Sequence, residues 1–486
     1  MLPEEDLIKQ RLKKLEEIRK KGINPYPYKF GHKDHAKDIL EKYSKLNKEE
    51  KTSDNVAVAG RIVLLRRMGK ASFAHIQDQS GRIQFYIRED RVGKEQYELF
   101  NLLDLGDIVG VKGTIFRTKM GEISVLCDKL ELLAKSIRPL PEKWHGLKDV
   151  EARYRKRYLD LISNPEVKEI FFKRSKIINA MREFLDNNKF LEVDTPILQT
   201  VYGGANAKPF KTFLHDLKMD VYMRISDELY LKRLIIGGFE RVYEIGRDFR
   251  NESIDRTHNP EFTMMECYAT YWDYNDMMEF TEDMTIYMAK KILGKTEFEY
   301  QGVKINLKKP WKKITLIDAL KEYAKIDVNK LSDEEIQDLI REKNIKYEGE
   351  YNKGLAIDAV FKELVESKLI QPIFILDHPK ETTPLCKLKR GNDVLVERFE
   401  PFIFGMEIGN AYSELNDPVI QKQLFEMQKK LLNKDEAHPV DTDFIEAMEY
   451  GMPPMGGLGI GLDRIVMLFL NQPSIRDVIL FPFMKK

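Results

Sequence analysis

The sequence has few cysteines, almost no net charge and no long apolar run. Its 486 residues include only 3 cysteines, Cys127, Cys267 and Cys386, and these lie far apart. Neither a disulfide framework nor a paired-cysteine zinc site is therefore expected, and a reducing compartment is favoured. A formal net charge of +1 excludes attraction of nucleic acid by the molecule as a whole, so a nucleic-acid site must be a local patch.

Membrane spans and secretion signals are also missing from the pattern. No apolar run approaches the roughly 18 residues that a spanning helix needs, so no membrane partner is expected. The first residues are acidic and lack the apolar core of a signal peptide, which predicts a cytoplasmic protein. The length allows two or three domains, each with its own core.

Residues 243–266 form the most informative stretch of the chain. Alternating apolar residues on both sides of a polar loop predict two antiparallel strands. The residues that such a hairpin would gather at one end of a sheet are Arg250, Glu252, Arg256, His258 and Phe262. Guanidinium groups grip phosphate oxygens and an aromatic ring can stack on a base, so the pattern favours a nucleoside triphosphate. An ordinary charged surface hairpin is the alternative that these residues leave open.

A second segment, residues 456–470, carries alternating glycines before an apolar helix pattern. Gly457, Gly459 and Gly461 share one face of a strand, and a face without side chains lets a flat ligand lie against the backbone. Arg464 follows within the helix pattern and places a cation beside that face. A dinucleotide-binding loop is a weaker interpretation, because the acidic residue that should follow it is missing.

These segments resemble motifs 2 and 3 of the class II aminoacyl-tRNA synthetases. Residues 190–198 resemble motif 1, and further matches lie at 203–210, 226–233 and 407–417. Together the segments are similar to the bacterial-type lysyl-tRNA synthetase family over nearly the whole chain. Two positions depart from that family: Asp248 and Ser253 stand where many members have an amide residue and a glycine.

The resemblance implies an α+β fold with two main parts, an N-terminal five-stranded OB-fold β-barrel and a class II synthetase antiparallel sheet flanked by helices. Five short strand patterns between residues 55 and 133 are independently typical of a small barrel. The expected organisation is an N-terminal helix and link at 1–54, an OB-fold anticodon-binding domain at 55–135, a hinge at 136–165, and a catalytic domain at 166–486 with a helical insertion at about 318–370.

Two features of the N-terminal part point to RNA. The helix predicted over residues 4–21 carries basic residues, Arg11 among them, which either form a solvated face or contact an RNA backbone. Phe73 and Gln84 lie on neighbouring predicted strands, where a base could stack on the ring while the amide reads its edge. Propensity alone makes Phe73 a core residue, whereas the resemblance implies that Phe73, Gln84 and Glu122 contact a U-rich anticodon.

The resemblance also assigns roles around ATP. Arg250 and Arg464 become the catalytic residues, Arg250 bridging the amino-acid carboxylate and the α-phosphate, and Arg464 holding the γ-phosphate. Positioning and charge neutralisation are the main needs of such a transfer. The remaining ATP-binding residues implied are Glu252, Arg256, His258, Phe262, Gly459 and Gly461. Glu400 and Glu407 are implied Mg²⁺ ligands; from their spacing alone they are two surface glutamates.

Recognition of the amino acid is expected to depend on charge. A lysine ammonium that enters a closed pocket loses water, and a buried carboxylate offsets that loss. The family positions imply Glu414 and Tyr268 at the side-chain ammonium, Gly204 and Glu228 at the α-amino group, and Asn410 near the carboxylate. A carboxylate rather than a cation at the pocket floor argues against aspartate and asparagine as substrates.

The expected function is therefore ATP-dependent ligation of L-lysine to tRNA(Lys). Lysyl-adenylate forms with release of pyrophosphate, and the terminal adenosine 3′-hydroxyl of the tRNA then displaces AMP. The resemblance implies a homodimer formed through motif 1. The alternatives are an aspartyl or asparaginyl enzyme, a catalytically silent RNA-binding paralogue, and a relative that attaches lysine to a protein but has no barrel.

Overall fold

The computed structural model describes residues 3–141, 147–347, 349–431 and 440–485. The chain separates into two compact units, 1–147 and 148–486. Among the described helices, none combines the length and the apolar character needed to cross a bilayer.

The first unit is a closed five-stranded barrel with helices around it. Its elements are α1 Glu4–Lys20, α2 Ala36–Lys42, β1 Lys51–Met68, β2 Ala71–Gln77, β3 Arg82–Arg88, α3 Glu89–Val92, α4 Lys94–Leu102, β4 Ile108–Arg117 and β5 Ile123–Ala134. The strands close in the order β1-β2-β3-β5-β4, with β3 and β5 parallel and the other pairs antiparallel. Alternate residues of β2 are buried, which is the period-2 pattern of a strand with one face on a core. The predicted OB-type barrel is confirmed.

Helix α1 packs on the barrel through its apolar stripe and one arginine. Leu15 and Ile18 are buried, and the Arg11 guanidinium donates to the carbonyl oxygens of Leu105, Ser136 and Arg138 at 2.9, 3.1 and 3.0 Å. Because these carbonyls use the guanidinium, Arg11 is a structural residue and not a free RNA contact.

The second unit is built on a large, mainly antiparallel sheet. The strands of this unit are β6 Leu191–Glu192, β7 Leu198–Gln199, β8 Lys211–Leu214, β9 Met219–Met223, β10 Arg241–Phe249, β11 Glu261–Thr270, β12 Glu297–Tyr300, β13 Val303–Asn306, β14 Lys312–Thr315, β15 Ile373–Pro379, β16 Leu395–Ile403, β17 Met406–Glu407, β18 Gly409–Ser413 and β19 Met455–Gly461. The strand order in the large sheet is β14-β15-β16-β18-β19-β11-β10-β6, and β17 pairs with β16. Separate small sheets are formed by β7-β9-β8 and by β12-β13. The class II type of antiparallel sheet expected from the sequence is confirmed.

Helices cover the large sheet and fill the intervals between its strands. They are α5 Val150–Arg155, α6 Arg157–Ser163, α7 Pro165–Asn187, α8 Glu228–Ile236, α9 Tyr274–Leu293, α10 Leu316–Ala319, α11 Asp333–Glu342, α12 Lys353–Leu364, α13 Pro418–Leu431, α14 Thr442–Glu449, α15 Leu462–Phe469 and α16 Ile475–Val478. A π-helical turn at Leu320–Ala324 and short 3₁₀ turns complete the set. Helices α7, α9 and α15 bury apolar faces in one core with β11, β18 and β19.

The division between the two units falls inside the interval predicted as a hinge, residues 136–165. Residues 142–146 of it lie outside the described part of the chain, and 150–163 form α5 and α6 within the second unit. A buried ion pair helps to hold α6 in that unit: Arg157 donates to Asp160 at 2.7 Å and to the carbonyl oxygens of Leu480 and Arg476 at 2.9 and 2.8 Å. The composition of the segment alone does not show these long-range polar contacts.

The interval around residues 318–370 is helical and has a core of its own, in which α11 and α12 pack on the π-helical turn and on β15. An Asn352 side chain caps α12, and a Ser332–Glu335 capping box begins α11. Strand β15 connects this helical segment back into the large sheet beside β16.

Candidate active site

A cavity of about 510 Å³ opens over the centre of the large sheet. Strands β11, β18 and β19 form its floor, while α8, the loop between β10 and β11 and helix α12 contribute to its walls. All the residues that the sequence assigned to lysine, ATP and metal line this cavity, except Arg256. Arg256 is exposed, and its carbonyl oxygen accepts from the Ile475 amide at 2.9 Å.

The glycine-rich strand β19 lies at the middle of the floor. Gly457 is opposite Tyr268 on one side and Tyr412 on the other, and Gly459 is opposite Glu266 and Asn410. A Cβ atom on Gly457 would lie 1.9 Å from Glu414 Oε1 and 2.5 Å from the Tyr268 ring. Glycine is therefore required at this position, because its missing side chain makes room for the polar groups of both neighbouring strands.

The end of the cavity for which the sequence predicts amino-acid binding, here called the amino-acid end, contains two buried glutamates from distant parts of the chain. Glu228 begins α8, and Glu414 follows β18; their exposed fractions are 3% and 1%. The Tyr412 hydroxyl donates to both oxygens of Glu228 at 2.9 and 3.0 Å. Burial, with the neighbouring charge of Glu228, raises the pKa of Glu414 well above its usual value, although Lys232 acts in the opposite direction.

A third carboxylate, Glu266, completes this end. It accepts from the Ser226 and Tyr268 hydroxyls at 3.0 and 3.1 Å. Burial and the charges of Asp248 and Glu228 raise its pKa to about 7. Since Glu266 and Tyr268 are two residues apart on β11, both side chains point from the same face of the strand into the cavity.

Glu266 also belongs to a buried acidic group with Asp227 and Asp248. The carboxylate oxygens of the three residues lie within 4.8 Å of one another. Arg224 is the adjacent cation, 3.1 Å from Asp248 and 2.5 Å from Glu244. Burial raises the pKa of Asp248 to about 6 despite Arg224. The departure from an amide at position 248 thus adds a titratable group below the site and leaves the cavity lining unchanged.

The end for which the sequence predicts a nucleotide, here called the nucleotide end, contains Arg250 and Phe262, which flank the loop joining β10 to β11. The two strands pair from Arg241–Ala269 to Phe249–Glu261, as the sequence predicted. The Arg250 amide donates to the Pro260 carbonyl at 2.9 Å, closing the loop, and the guanidinium lies 5.0 Å from the centre of the Phe262 ring. The cation and the aromatic plane therefore face the same part of the cavity.

Within the loop, Asp255 organises the backbone and orients His258. It accepts from the His258 amide at 2.8 Å and lies 2.7 Å from the ring Nδ1. The other ring nitrogen is 3.1 Å from an Arg464 nitrogen. Arg464 also donates to the Glu407 carbonyl oxygen at 2.5 Å, so β17 and α15 are linked beside the cavity. Glu252 is exposed and lines the rim.

The acidic edge of this end consists of Glu400 on β16 and Glu407 on β17. Arg398 donates to Glu400 at 2.6 Å and to the Asn410 side-chain oxygen at 2.8 Å. Glu407 is less enclosed: its side chain is 40% exposed, with the Arg464 guanidinium 3.6 Å away. Two carboxylates therefore face an opening between the nucleotide end and solvent.

The helical insertion contributes to this edge, a role that sequence reasoning missed. Asp358 and Lys362 of α12 line the cavity and pair with each other at 2.9 Å. Just beyond α12, burial and the charges of Glu400 and Glu407 raise the pKa of Glu366 to about 8. Burial is the largest cause of this shift, so the Glu366 carboxyl is poorly solvated beside two other carboxylates.

The barrel brings its three predicted contact residues together. Phe73 of β2 stacks on Tyr86 of β3 with ring centres 4.4 Å apart, and it is partly exposed. Gln84 is 5% exposed and donates to Glu122 at 2.8 Å, while the His75 ring lies 2.6 Å from the same glutamate. An aromatic platform and a polar network thus occupy one face of the β2–β3 pair.

Three other residues at or behind the active-site cavity lie at regular spacings from predicted site residues. Glu266 and Arg398 each lie two residues from a predicted site residue on the same strand, and Lys232 lies one helical turn after Glu228. Tyr412 is different, because its contact with Glu228 spans 184 residues and depends on the fold.

Comparison with known proteins agrees with this geometry. The family described as tRNA synthetases class II (D, K and N) matches residues 149–485, and the OB-fold nucleic acid binding domain family matches residues 56–133. Three similar curated proteins are each named lysine–tRNA ligase. That of Pelotomaculum thermopropionicum is 53% identical over 99% of this chain and 95% of its own length.

The other two relatives are similar over the same extent. The protein of Carboxydothermus hydrogenoformans is 52% identical over 99% of this chain and 98% of its own. The protein of Clostridium novyi is 51% identical over 99% and 94%. With a family match across most of the second unit and relatives of this identity along its whole length, the chain belongs to the class II tRNA synthetases of the D, K and N group.

Proposed function

We propose that this protein ligates L-lysine to tRNA(Lys) at the expense of ATP. The observation that carries the proposal is the pair of buried carboxylates, Glu228 and Glu414, at one end of a cavity whose other end contains Arg250 and Arg464. The names of the similar proteins supply the same substrate. A cation-binding pocket beside an arginine-lined nucleotide site is what activation of lysine requires.

At the amino-acid end, Glu414 receives the side-chain ammonium of lysine, with the Tyr268 hydroxyl beside it. Glu228 and the backbone at Gly204 receive the α-ammonium, and Asn410 lies near the carboxylate. Gly204 has φ +88°, which favours glycine where the backbone must approach the ligand. A substrate without the side-chain ammonium leaves Glu414 buried and unpaired, a penalty that supports strong selection.

At the nucleotide end, Phe262 stacks under adenine and Arg250 spans the lysine carboxylate and the α-phosphate. His258, Glu252 and Arg464 hold the triphosphate side of the cavity. Arg256 is also proposed to hold the outer phosphates, although it is exposed and lies outside the cavity lining. Gly459 and Gly461 let the nucleotide lie flat along β19.

Magnesium fits the acidic edge. The donor set is hard oxygen, from Glu400 and Glu407, and both carboxylates line the cavity. Glu400 and Glu407 would hold the ion. Bound there, Mg²⁺ supplies charge neutralisation of the ATP phosphates.

The first chemical step requires no protein base, because the lysine carboxylate is already ionised at neutral pH. One carboxylate oxygen forms a bond to the α-phosphorus while the bond to pyrophosphate breaks, and Arg250 offsets the negative charge gathered there. In the second step the 3′-hydroxyl oxygen of the terminal adenosine bonds to the activated carbonyl carbon. The bond between that carbon and the AMP phosphate oxygen breaks, AMP leaves with the bonding electrons, and the hydroxyl proton passes to the departing phosphate.

Selection of tRNA involves the barrel. A base of a U-rich anticodon stacks on Phe73, which already lies on Tyr86, and Gln84 with Glu122 reads the edge of a base. The His75–Glu122 contact helps to hold that glutamate in place. This arrangement reads sequence through a local patch, as the near-neutral net charge requires.

We further propose a homodimer through the motif 1 region, and a cytoplasmic location where charged tRNA is used. Support for the dimer comes from a group of large apolar side chains that are exposed around β6, β7 and β8 in the single chain. They are Leu191, Ile197, Leu198, Phe213 and Leu214. An apolar group of this kind marks an interaction surface.

The direct test is amino-acid-dependent exchange of pyrophosphate into ATP, measured separately with each of the twenty amino acids. Exchange with lysine alone, followed by lysine transfer to a tRNA with a U-rich anticodon, is the expected result. Exchange with aspartate or asparagine instead would reassign the pocket. No exchange with any amino acid would leave an RNA-binding role.

A further inference from the structure

An ammonium group of the protein itself lies at the amino-acid end of the cavity. The Lys232 side chain of α8 is 1% exposed, and its Nζ lies 2.5 Å from Glu228 Oε1 and also contacts Glu414 Oε2. The Tyr268 and Tyr412 rings are centred 5.8 and 5.6 Å from the same nitrogen. One buried cation therefore bridges the two carboxylates that we assign to substrate lysine.

The ammonium lies behind the carboxylates and not in the substrate's space. Glu228 and Glu414 line the cavity, whereas Lys232 is outside its lining. Glu228 and Lys232 are four residues apart, so they share one face of α8 and meet Glu414 together. Each carboxylate can thus bind Lys232 on its rear side and a ligand on its cavity side.

The position of the ammonium also affects the charge of the pocket. Three carboxylates that line this end, Glu228, Glu266 and Glu414, face one ammonium. Free lysine brings two further ammonium groups, and its own carboxylate is directed to Arg250. The two ammonium groups of lysine and the ammonium of Lys232 would together match the three carboxylates. Without Lys232, the adjacent buried carboxylates Glu228 and Glu414 would lack a shared counter-ion.

We propose that Lys232 is a specificity-determining positioning residue, which holds the Glu228 and Glu414 carboxylates in place for the two ammonium groups of lysine. The proposal rests on the assignment of these glutamates to lysine binding. The titratable groups that face Glu414 from the surrounding elements are Lys232 and Glu228 of α8, Glu266 and Tyr268 of β11, Tyr412 of β18, and Cys386. Lys232 is the cation among these groups.

Two variants separate the charge of Lys232 from its packing. Lys232→Met keeps an unbranched apolar stem but removes the ammonium, and Lys232→Arg keeps the charge. Lys291→Met is the matched control, because Lys291 is half exposed and pairs with Glu183 on the surface, away from the cavity. KM for lysine and KM for ATP are measured by pyrophosphate exchange on full-length protein between about pH 6 and pH 7.5, below the pKa values of both ammonium groups of lysine.

The expected result for Lys232→Met is a KM for lysine raised roughly ten-fold or more near pH 7, with KM for ATP changed less than about two-fold. The increase should shrink as the pH rises, because the charge of Lys232 lowers the pKa of Glu414, so its loss favours the protonated form of Glu414 at the lower end of this pH range. Lys232→Arg should keep the pH profile of the parent protein, and Lys291→Met should match the parent in all respects. Should the methionine variant not fold, Lys232→Gln enters the same comparison.

A merely structural lysine gives a different pattern. Equal rises in both KM values, or an unchanged KM for lysine with an unchanged pH profile, would overturn the proposal. Glu414→Gln measured in parallel distinguishes the two levels of inference. If Glu414→Gln leaves KM for lysine unaltered, the pocket assignment itself fails; if only Lys232→Met has no effect, the pocket stands and the role of Lys232 is rejected.

Discussion

The two ends of one cavity are built in different ways. At the amino-acid end, Glu228 and Glu414 are almost completely buried and are bound by Tyr412 and Lys232 from within the protein. At the nucleotide end, His258 and Glu407 are partly exposed, and the cations contact neighbouring protein groups, as Arg464 contacts His258. The first end is preorganised for one side chain, whereas the second must exchange internal contacts for contacts with its ligand.

In the proposed function, the two ends meet different requirements: the first selects the amino acid, and the second offsets the charge of the triphosphate. A buried carboxylate strongly penalises a ligand that leaves it unpaired, so it discriminates between amino acids. Partly exposed arginine and glutamate residues discriminate little, but they can follow the changing charge of a triphosphate during reaction. Removing a group from each end should therefore have effects of different kinds.

The largest effect is expected from Glu414→Gln. The amide keeps the shape but loses the charge that offsets desolvation of the lysine ammonium, so kcat/KM for lysine should fall about 10²–10³-fold. Lysine-dependent pyrophosphate exchange measures it, with the exposed Glu299→Gln as control. A loss below ten-fold would place ammonium recognition elsewhere.

Arg250→Ala should follow closely, but in a different parameter. Removing a preorganised donor at the reacting phosphate is expected to lower kcat roughly 10²-fold. Pyrophosphate exchange at saturating lysine and ATP gives kcat. Titration with lysine, followed by tryptophan fluorescence or by calorimetry, gives the affinity for lysine. If kcat is preserved and only the ATP requirement rises, Arg250 binds the ground state alone.

Glu407→Gln should raise the Mg²⁺ concentration needed for half-maximal exchange, by roughly ten-fold, because a neutral amide is a weaker ligand for a hard cation. The lysine KM should stay near that of the parent protein, which is the feature that distinguishes the two ends. The Mg²⁺ requirement is measured by titrating Mg²⁺ into protein from which a chelator has removed metal, and the lysine KM is measured at saturating Mg²⁺. An unshifted Mg²⁺ titration would remove Glu407 from the metal site.

Phe73→Ala concerns the barrel alone. Loss of one stacking platform is expected to raise KM for tRNA about ten-fold, since base–aromatic stacking contributes about 1–3 kcal/mol per base. Amino-acid activation should be unaffected. An unchanged tRNA KM would return Phe73 to the role of packing on Tyr86.

The smallest effect is a pH dependence at the amino-acid end. The Glu266 pKa is raised to about 7, so this group is protonated below that pH and ionised above it. An ammonium ligand favours the carboxylate, hence lysine affinity should rise a few-fold from about pH 6 to about pH 8, with proton release on binding. Calorimetry in two buffers of different ionisation enthalpy detects that release, and affinity that weakens over this interval contradicts the assignment.

Local patterns predicted the parts of the molecule that local physics controls. Alternation identified β10 and β11, and the spaced glycines identified β19, because the strand period is visible in a few residues. The family resemblance supplied Glu414, and it also supplied Glu400 and Glu407, which spacing alone left as surface glutamates. Neither the local patterns nor the family resemblance predicted polar contacts between distant segments. Examples are the hydrogen bond from Arg157 to the Leu480 carbonyl and the hydrogen bond from Tyr412 to Glu228.

The central claim is that Glu414 selects lysine by its charge, and one ratio tests it most directly. The ratio is kcat/KM for lysine over kcat/KM for norleucine, its analogue without the side-chain ammonium, in the parent protein and in Glu414→Gln. The account predicts a ratio that collapses by about 10²-fold or more in the variant, mainly through loss of lysine activity. A ratio that stays the same in both proteins would contradict it.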